Sequence, residues 1–110
     1  MKLAIVGSRK ITDISIDEYI SDEVTEIVSG GAIGIDTLAR EYAIRAGLKL
    51  TEILPKYDLY GRAAPIKRNE EIASYADRAL AIWDGKSKGT QSTINFFKKL
   101  EKKVTVIIKE

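Results

Sequence analysis

The fold class is legible in EVTEIVSGGAIGIDTLAREYAIRAG, residues 23 to 47. Residues 23–28 form a short apolar, β-branched run. Ser29-Gly30-Gly31-Ala32-Ile33-Gly34 then breaks it with three glycines. From Ile35 to Ala46 the apolar residues Ile35, Leu38, Ala39, Tyr42, Ala43 and Ala46 fall at helical spacing, and Gly47 is a fitting C-terminal stop. Strand, glycine-rich turn and helix make one β-α unit.

The same alternation repeats outward in both directions. Further strands are predicted over residues 2–6, 48–54, 78–83 and 104–108. The first, fourth and fifth runs are nearly continuous, as expected of strands buried on both faces. The second and third alternate more, which places them toward a sheet edge or under thinner cover. Ser15 and Glu18 form a capping-box pattern opening a short helix through Ser21. Pro65 starts a helix that runs to about Ala76, and a last helix spans roughly residues 90–102 with Ile94, Phe97 and Leu100 on one face. Its lysines Lys98, Lys99, Lys102 and Lys103 suit a solvated helix end. Residues 55–64 form the one long connection without periodicity. Tyr57 and Tyr60 in it are either a lid or interface, or plain exposed tyrosines.

Strict β-α alternation predicts an α/β, three-layer, Rossmann-like domain. It has a five-stranded, mainly parallel sheet of order 3-2-1-4-5, occupying residues 1–110 as one domain. At 110 residues such a chain buries roughly 65% of its unfolded surface and needs no staple.

Composition narrows the chemistry. The chain has no cysteine and no histidine, which excludes disulfides, thiolate nucleophiles, an imidazole base and Cys- or His-ligated metals. A metal would have to be a hard ion on oxygen ligands. With 18 Lys+Arg against 16 Asp+Glu, a net charge of +2 neither requires nor forbids a nucleic-acid partner. No run approaches a membrane span or a signal peptide, so a cytoplasmic protein without membrane contact is expected.

In an open parallel sheet of this order, ligands bind beyond the strand C-termini where the order reverses, so the loops after strands one, two and four should carry the site. Those loops are Gly7-Ser8-Arg9, Ser29 to Asp36, and Asp84-Gly85-Lys86-Ser87-Lys88-Gly89-Thr90. Each joins glycine to a hydroxyl, and two of them open helices whose amides suit an anion. Asp36 either caps its helix or accepts a bond from a ribose hydroxyl or a neighbouring loop. Trp83 either stacks on a base or walls the core. Arg68-Asn69 either clamps a phosphate or a base edge, or lies in an exposed first turn.

Together Gly7-Ser8-Arg9, Ser29-Gly30-Gly31-Ala32-x-Gly34-x-Asp36, Arg68-Asn69 and Trp83-Asp84-Gly85-x-Ser87-x-Gly89-Thr90 cover nearly the whole chain. In this pattern the chain resembles the SLOG superfamily of Smf/DprA and LOG Rossmannoid domains. Within it, the chain looks most like the small stand-alone YspA and DUF2493 branch. The resemblance implies a nucleotide or nucleotide-derived ligand, ADP-ribose-like for example. Gly7, Ser8, Arg9, residues 29–34, Gly89 and Thr90 would line its phosphate and ribose pocket, and Arg68-Asn69 resembles the Arg-Asn of the DNA-processing relatives. It also implies a homodimer.

One departure bears on catalysis. The LOG enzymes carry Pro-Gly-Gly-x-Gly-Thr-x-x-Glu, whereas Thr93 stands here in place of the glutamate and the Pro-Gly-Gly start is absent. The leading expectation is therefore a binder or sensor with no identified cofactor. The alternative is a nucleotide hydrolase resembling the LOG phosphoribohydrolases, using Asp36 or Asp84 and, only in that case, Mg²⁺. Single-stranded DNA binding comes third.

Overall fold

A computed structural model describes residues 1–31 and 33–109. Its strands are β1 (Lys2–Gly7), β2 (Glu26–Ser29), β3 (Lys49–Glu52), β4 (Arg78–Trp83) and β5 (Val104–Ile108). Its helices are α1 (Ile35–Ala46), α2 (Tyr57–Tyr60), α3 (Ala64–Tyr75) and α4 (Lys88–Lys99). The sheet order is β3-β2-β1-β4-β5 and every neighbouring pair is parallel. The α/β, Rossmann-like fold and strand order are those read from the sequence.

Side-chain alternation assigns the two faces. Leu3, Ile5, Ile27, Leu80 and Ile82 pack with Ile35, Ala39 and Ala43 of α1 and with Ile11 and Ile16. Ala4, Val6, Val28, Ala79 and Ala81 face Ile72 and Ala73 of α3 and Ile94 and Phe97 of α4. Alanines on the second face leave room for two helices to lie side by side. No helix among the described residues is long and apolar enough to cross a membrane.

Four local expectations are corrected. The helix expected over residues 15–21 is a single 3-10 turn, Asp17–Tyr19, entered from Ile16 with no side-chain cap. Seven residues barely offset the cost of helix nucleation. Here burial of Ile16 against the α1 side of the core fixes the path instead, and the exposed ion pair of Asp17 with Arg45 of α1, at 2.9 Å, adds little to it. The second run sits inside the sheet, and β2 is buried along its length, whereas β5 is an edge strand with Val106 and Ile108 exposed. The connection after β3 contains α2 and a 3-10 turn over Gly61–Ala63. Finally, α4 starts two residues early and ends at Lys99. Lys102 is no solvated charge on its own helix: its Nζ donates to the carbonyls of Ala73, Ser74 and Ala76, at 2.7, 3.0 and 2.8 Å, and closes the end of α3.

At the strand N-termini, away from the switch point, Glu26 accepts hydrogen bonds from Tyr75 and from Thr51 Oγ1. Burial works to raise its pKa. The Tyr75 and Thr51 hydroxyls, with Lys49 and Lys2 nearby, outweigh it and hold the carboxyl below its ordinary value. A carboxyl depressed on folding contributes stability above its unfolded pKa, and that contribution disappears as pH falls through the folded value. Urea midpoints should therefore fall between about pH 6 and about pH 3, and Tyr75→Phe should flatten part of that fall. An unchanged pH slope in Tyr75→Phe would show that this cluster does not carry the acid sensitivity.

Candidate functional site

Beyond the C-terminal ends of β1, β2 and β4 lies a cleft of about 430 Å³, within the size range of small-molecule sites. Gly7, Ser8, Arg9, Gly30, Asp36, Arg68, Asn69, Asp84, Ser87, Gly89 and Thr90 line it. The structure thus brings together residues from all three glycine-containing loops and from the start of α3. Lys10, Pro65, Ile72 and Thr93 also line it. Lys10 carried no signal beyond its place beside Arg9. Pro65 was legible only as a helix start, and Thr93 only as the position of a missing glutamate.

Ser29, Gly31, Gly34 and Trp83, expected at the ligand, do not line the cleft. Ser29 Oγ accepts a bond from the Gly31 amide at 3.2 Å. Trp83 donates its indole N–H to the Ser87 carbonyl at 3.0 Å, tying the end of β4 to the start of α4. Ala32 falls outside the described residues.

The β1 loop is seated by close backbone approach. A Cβ at Gly7 would lie 2.6 Å from the Ile82 carbonyl oxygen and 2.8 Å from Ile35 Cβ. One at Gly34, where φ is +76°, would lie 2.4 Å from the Arg9 carbonyl oxygen. These two contacts press the Gly-Ser-Arg loop against β4 and against the N-terminus of α1. Buried Ser8 then accepts the Asp84 amide through Oγ at 3.3 Å, which links the β1 and β4 loops.

Asp84 organises the third loop. Its Oδ1 accepts the amides of Lys86 and Ser87, each at 2.8 Å, an Asx-type turn completed by Gly85 at φ +81°. These backbone bonds, chiefly those from Ser87 and Lys86, hold its carboxyl below the ordinary range. The N-cap residues of α1 and α4, Gly34 and Ser87, make no side-chain cap hydrogen bond, and the first turns of both helices contribute lining to the cleft through Asp36 and through Gly89 and Thr90.

Arg68 is half-buried between the loops. Its Nε donates to Asn69 Oδ1 at 3.0 Å and its Nη1 to the Gly30 carbonyl at 2.9 Å. Burial lowers its pKa and the nearby Arg9 adds to this, while Asp36 and Tyr57 act to raise it. It stays a cation throughout, as arginine does. Asn69 donates to the Gly89 carbonyl at 3.4 Å, and Thr93 Oγ1 bonds the same oxygen at 3.2 Å. Both side chains thereby fix the first turn of α4.

A larger cleft of about 580 Å³ lies between α3 and α4, lined by Ile53, Tyr75, Phe96 and Leu100 among others. It touches none of the three loops. Among the described residues no group of His, Cys, Asp and Glu is placed to hold a metal ion.

Residues 1–57 match the family profile of DNA recombination-mediator protein A. They span β1, β2, α1 and β3, and with them the first two of the three loops. No curated protein matches the chain significantly.

Proposed function

The chain belongs to the DNA recombination-mediator protein A family, and from that premise we propose that its switch-point cleft binds the phosphate end of a nucleotide or nucleotide-derived ligand. One observation carries the reading. The N-termini of α1 and α4, without side-chain caps, meet at a single cleft with Arg9 and Arg68. Amides aimed by two helix ends supply directed donors, and the guanidiniums supply charge with a forked geometry suited to phosphate. Binding is favoured over hydrolysis because Asp84 spends Oδ1 on two backbone amides and Asp36 lies in the field of Arg68. Hydrolysis needs a carboxylate free to move a proton or hold Mg²⁺.

Trp83, the sole tryptophan, reports on the site because its indole is bonded into the α4 loop. Titration with nucleoside monophosphates, ADP-ribose and nicotinamide dinucleotides should change its fluorescence and raise Tm. An intact fold with no response to any of them removes the proposal. Gly89 gives a sharper test. It sits in the first turn of α4 without a positive φ, and a Cβ there would meet nothing within 4 Å. The fold therefore has no steric need for glycine at a position that lines the cleft. Gly89→Ala should stabilise the chain slightly, by roughly 0.5 kcal/mol, and weaken phosphate-ligand binding about tenfold or more. Unweakened binding would place the phosphate elsewhere.

A second reading follows from the family and from exposed Arg9 and Lys10 at the cleft, with Lys86 and Lys88 exposed beside it. The same cradle would hold a backbone phosphate of single-stranded DNA. Affinity for oligonucleotides would then exceed that for mononucleotides and fall steeply with salt. No mobility shift at low salt argues against it.

A further inference from the structure

The sheet has two edges, and they are guarded differently. On β3, Lys49 reaches Glu26 at 3.8 Å and Glu52 holds Arg40 at 2.6 Å, so charged side chains stand at both ends of that strand. On β5, residues 104–108 read Val-Thr-Val-Ile-Ile, with no charge and no proline. Their register on β4 runs without a bulge, from Val104 opposite Ala79 to Ile108 opposite Trp83. The Lys103 carbonyl accepts the Ala79 amide at 3.0 Å, and the Lys109 amide donates to the Trp83 carbonyl at 2.8 Å. Odd-numbered residues of β5 therefore turn their backbone groups to β4, and by alternation Val104, Val106 and Ile108 turn theirs outward. No strand among the described residues pairs with that side. An uncharged, unbulged edge with a free row of donors and acceptors is a template for a further strand.

Charge decides what kind of strand fits. Lys103 and Lys109 bracket the edge, about 20 Å apart along an extended strand. Arg78 stands beside Lys103: both line a cavity of about 160 Å³ at the start of β5, together with Leu3, Leu80 and Thr105. Among the described residues Arg78, Lys103 and Lys109 form no ion pair. A second copy pairing antiparallel about Val106 would set Lys103 against Lys109 at both ends, and like charges facing each other across strands destabilise the pair. An apolar segment with acidic residues at its two ends meets a cation at each end instead, and finds beside Lys103 a cavity with an apolar floor for a side chain.

We propose that β5 is a docking edge for another protein: it takes an extended apolar segment as long as residues 104–108, flanked by aspartate or glutamate, as an added strand of the sheet. The test titrates the full chain, by fluorescence anisotropy, with the labelled synthetic peptide Asp-Asp-Val-Thr-Val-Ile-Phe-Asp-Asp and with the same peptide carrying lysine for each aspartate. The acidic peptide should bind the wild type about tenfold or more tightly than the lysine peptide, and the preference should shrink as salt rises. Lys103→Glu combined with Lys109→Glu should reverse it. Val106→Pro removes one outward amide and leaves the bonds to β4 in place, so the chain should fold, which circular dichroism checks, while affinity for the acidic peptide should fall about tenfold or more. Should proline unfold the chain, the charge-reversed variant decides alone. No binding of the acidic peptide to the wild type overturns the proposal, as does undiminished binding to a folded Val106→Pro or an unchanged preference in the charge-reversed variant. If native mass spectrometry instead shows a dimer that Val106→Pro dissolves, with no peptide bound, the edge belongs to a second copy and the proposal is wrong.

Discussion

Gly34→Ala is expected to lower the stability of this chain by about 2–4 kcal/mol, one of the two largest effects anticipated from a single substitution. Two costs combine. Gly34 has φ +76° and ψ −122°, a region essentially closed to residues with a Cβ, and forcing one there costs roughly 1–3 kcal/mol. The new methyl would also lie 2.4 Å from the Arg9 carbonyl oxygen, a backbone atom that cannot rotate aside. Overpacking of that kind costs typically about 1–3 kcal/mol. The loop would have to lift from α1, carrying Ser8 and its bond from Asp84 with it. Thermal unfolding should show Tm lowered by about 10 °C or more, and ligand response should weaken together with it. Gly61→Ala is the control. It too has a positive φ, but a Cβ there meets nothing within 4 Å, so it bears only the strain. Equal losses for the two variants would show that the Arg9 contact contributes little.

The sequence pattern made the sheet and its order legible for a physical reason. Parallel strands covered on both faces must be apolar in nearly every position, and β1 and β4 are. The same rule misled for β5, whose residues are as apolar but lie at an edge, because composition records what a strand tolerates and not which neighbours it has. The glycine loops were readable because close approach leaves no side chain to substitute. The pattern of residues could not separate the uses of a carboxylate. Asp84 is a catalytic candidate by its position after β4, and its place before Gly85 also makes it a turn-former, a signal that Asp-Gly does carry. Lys102 shows the opposite limit. Nothing in its neighbours along the chain points to the end of α3, since the three carbonyls it serves are supplied by tertiary packing alone.

Arg68 is where fold and proposed ligand meet, and Arg68→Met should affect both. Methionine keeps the apolar stem's packing but removes the guanidinium, so the Gly30 carbonyl and Asn69 Oδ1 each lose a donor. A polar group left without its partner costs about 1–3 kcal/mol when fully buried. Arg68 is only part-buried, so a total of about 1–2 kcal/mol is expected from urea unfolding. Ligand affinity should fall further, by roughly tenfold to a hundredfold, because the lost donors are charged and act at the cleft. Arg68→Lys separates charge from geometry. Lysine restores a cation but cannot form the fork that reaches Gly30 and Asn69 together. It should therefore recover part of the salt-dependent affinity and little of the stability. Gly30→Ala approaches the same contact from its other side, since its Cβ would fall 2.6 Å from Arg68 Nη1 and 3.3 Å from Asp36 Oδ2. It should displace the guanidinium without deleting it, giving a binding loss between those of Lys and Met. If Arg68→Met binds the phosphate probes as tightly as the wild type, the guanidinium serves only to join β2 to α3, and the anion must be held by Arg9 and the helix ends alone.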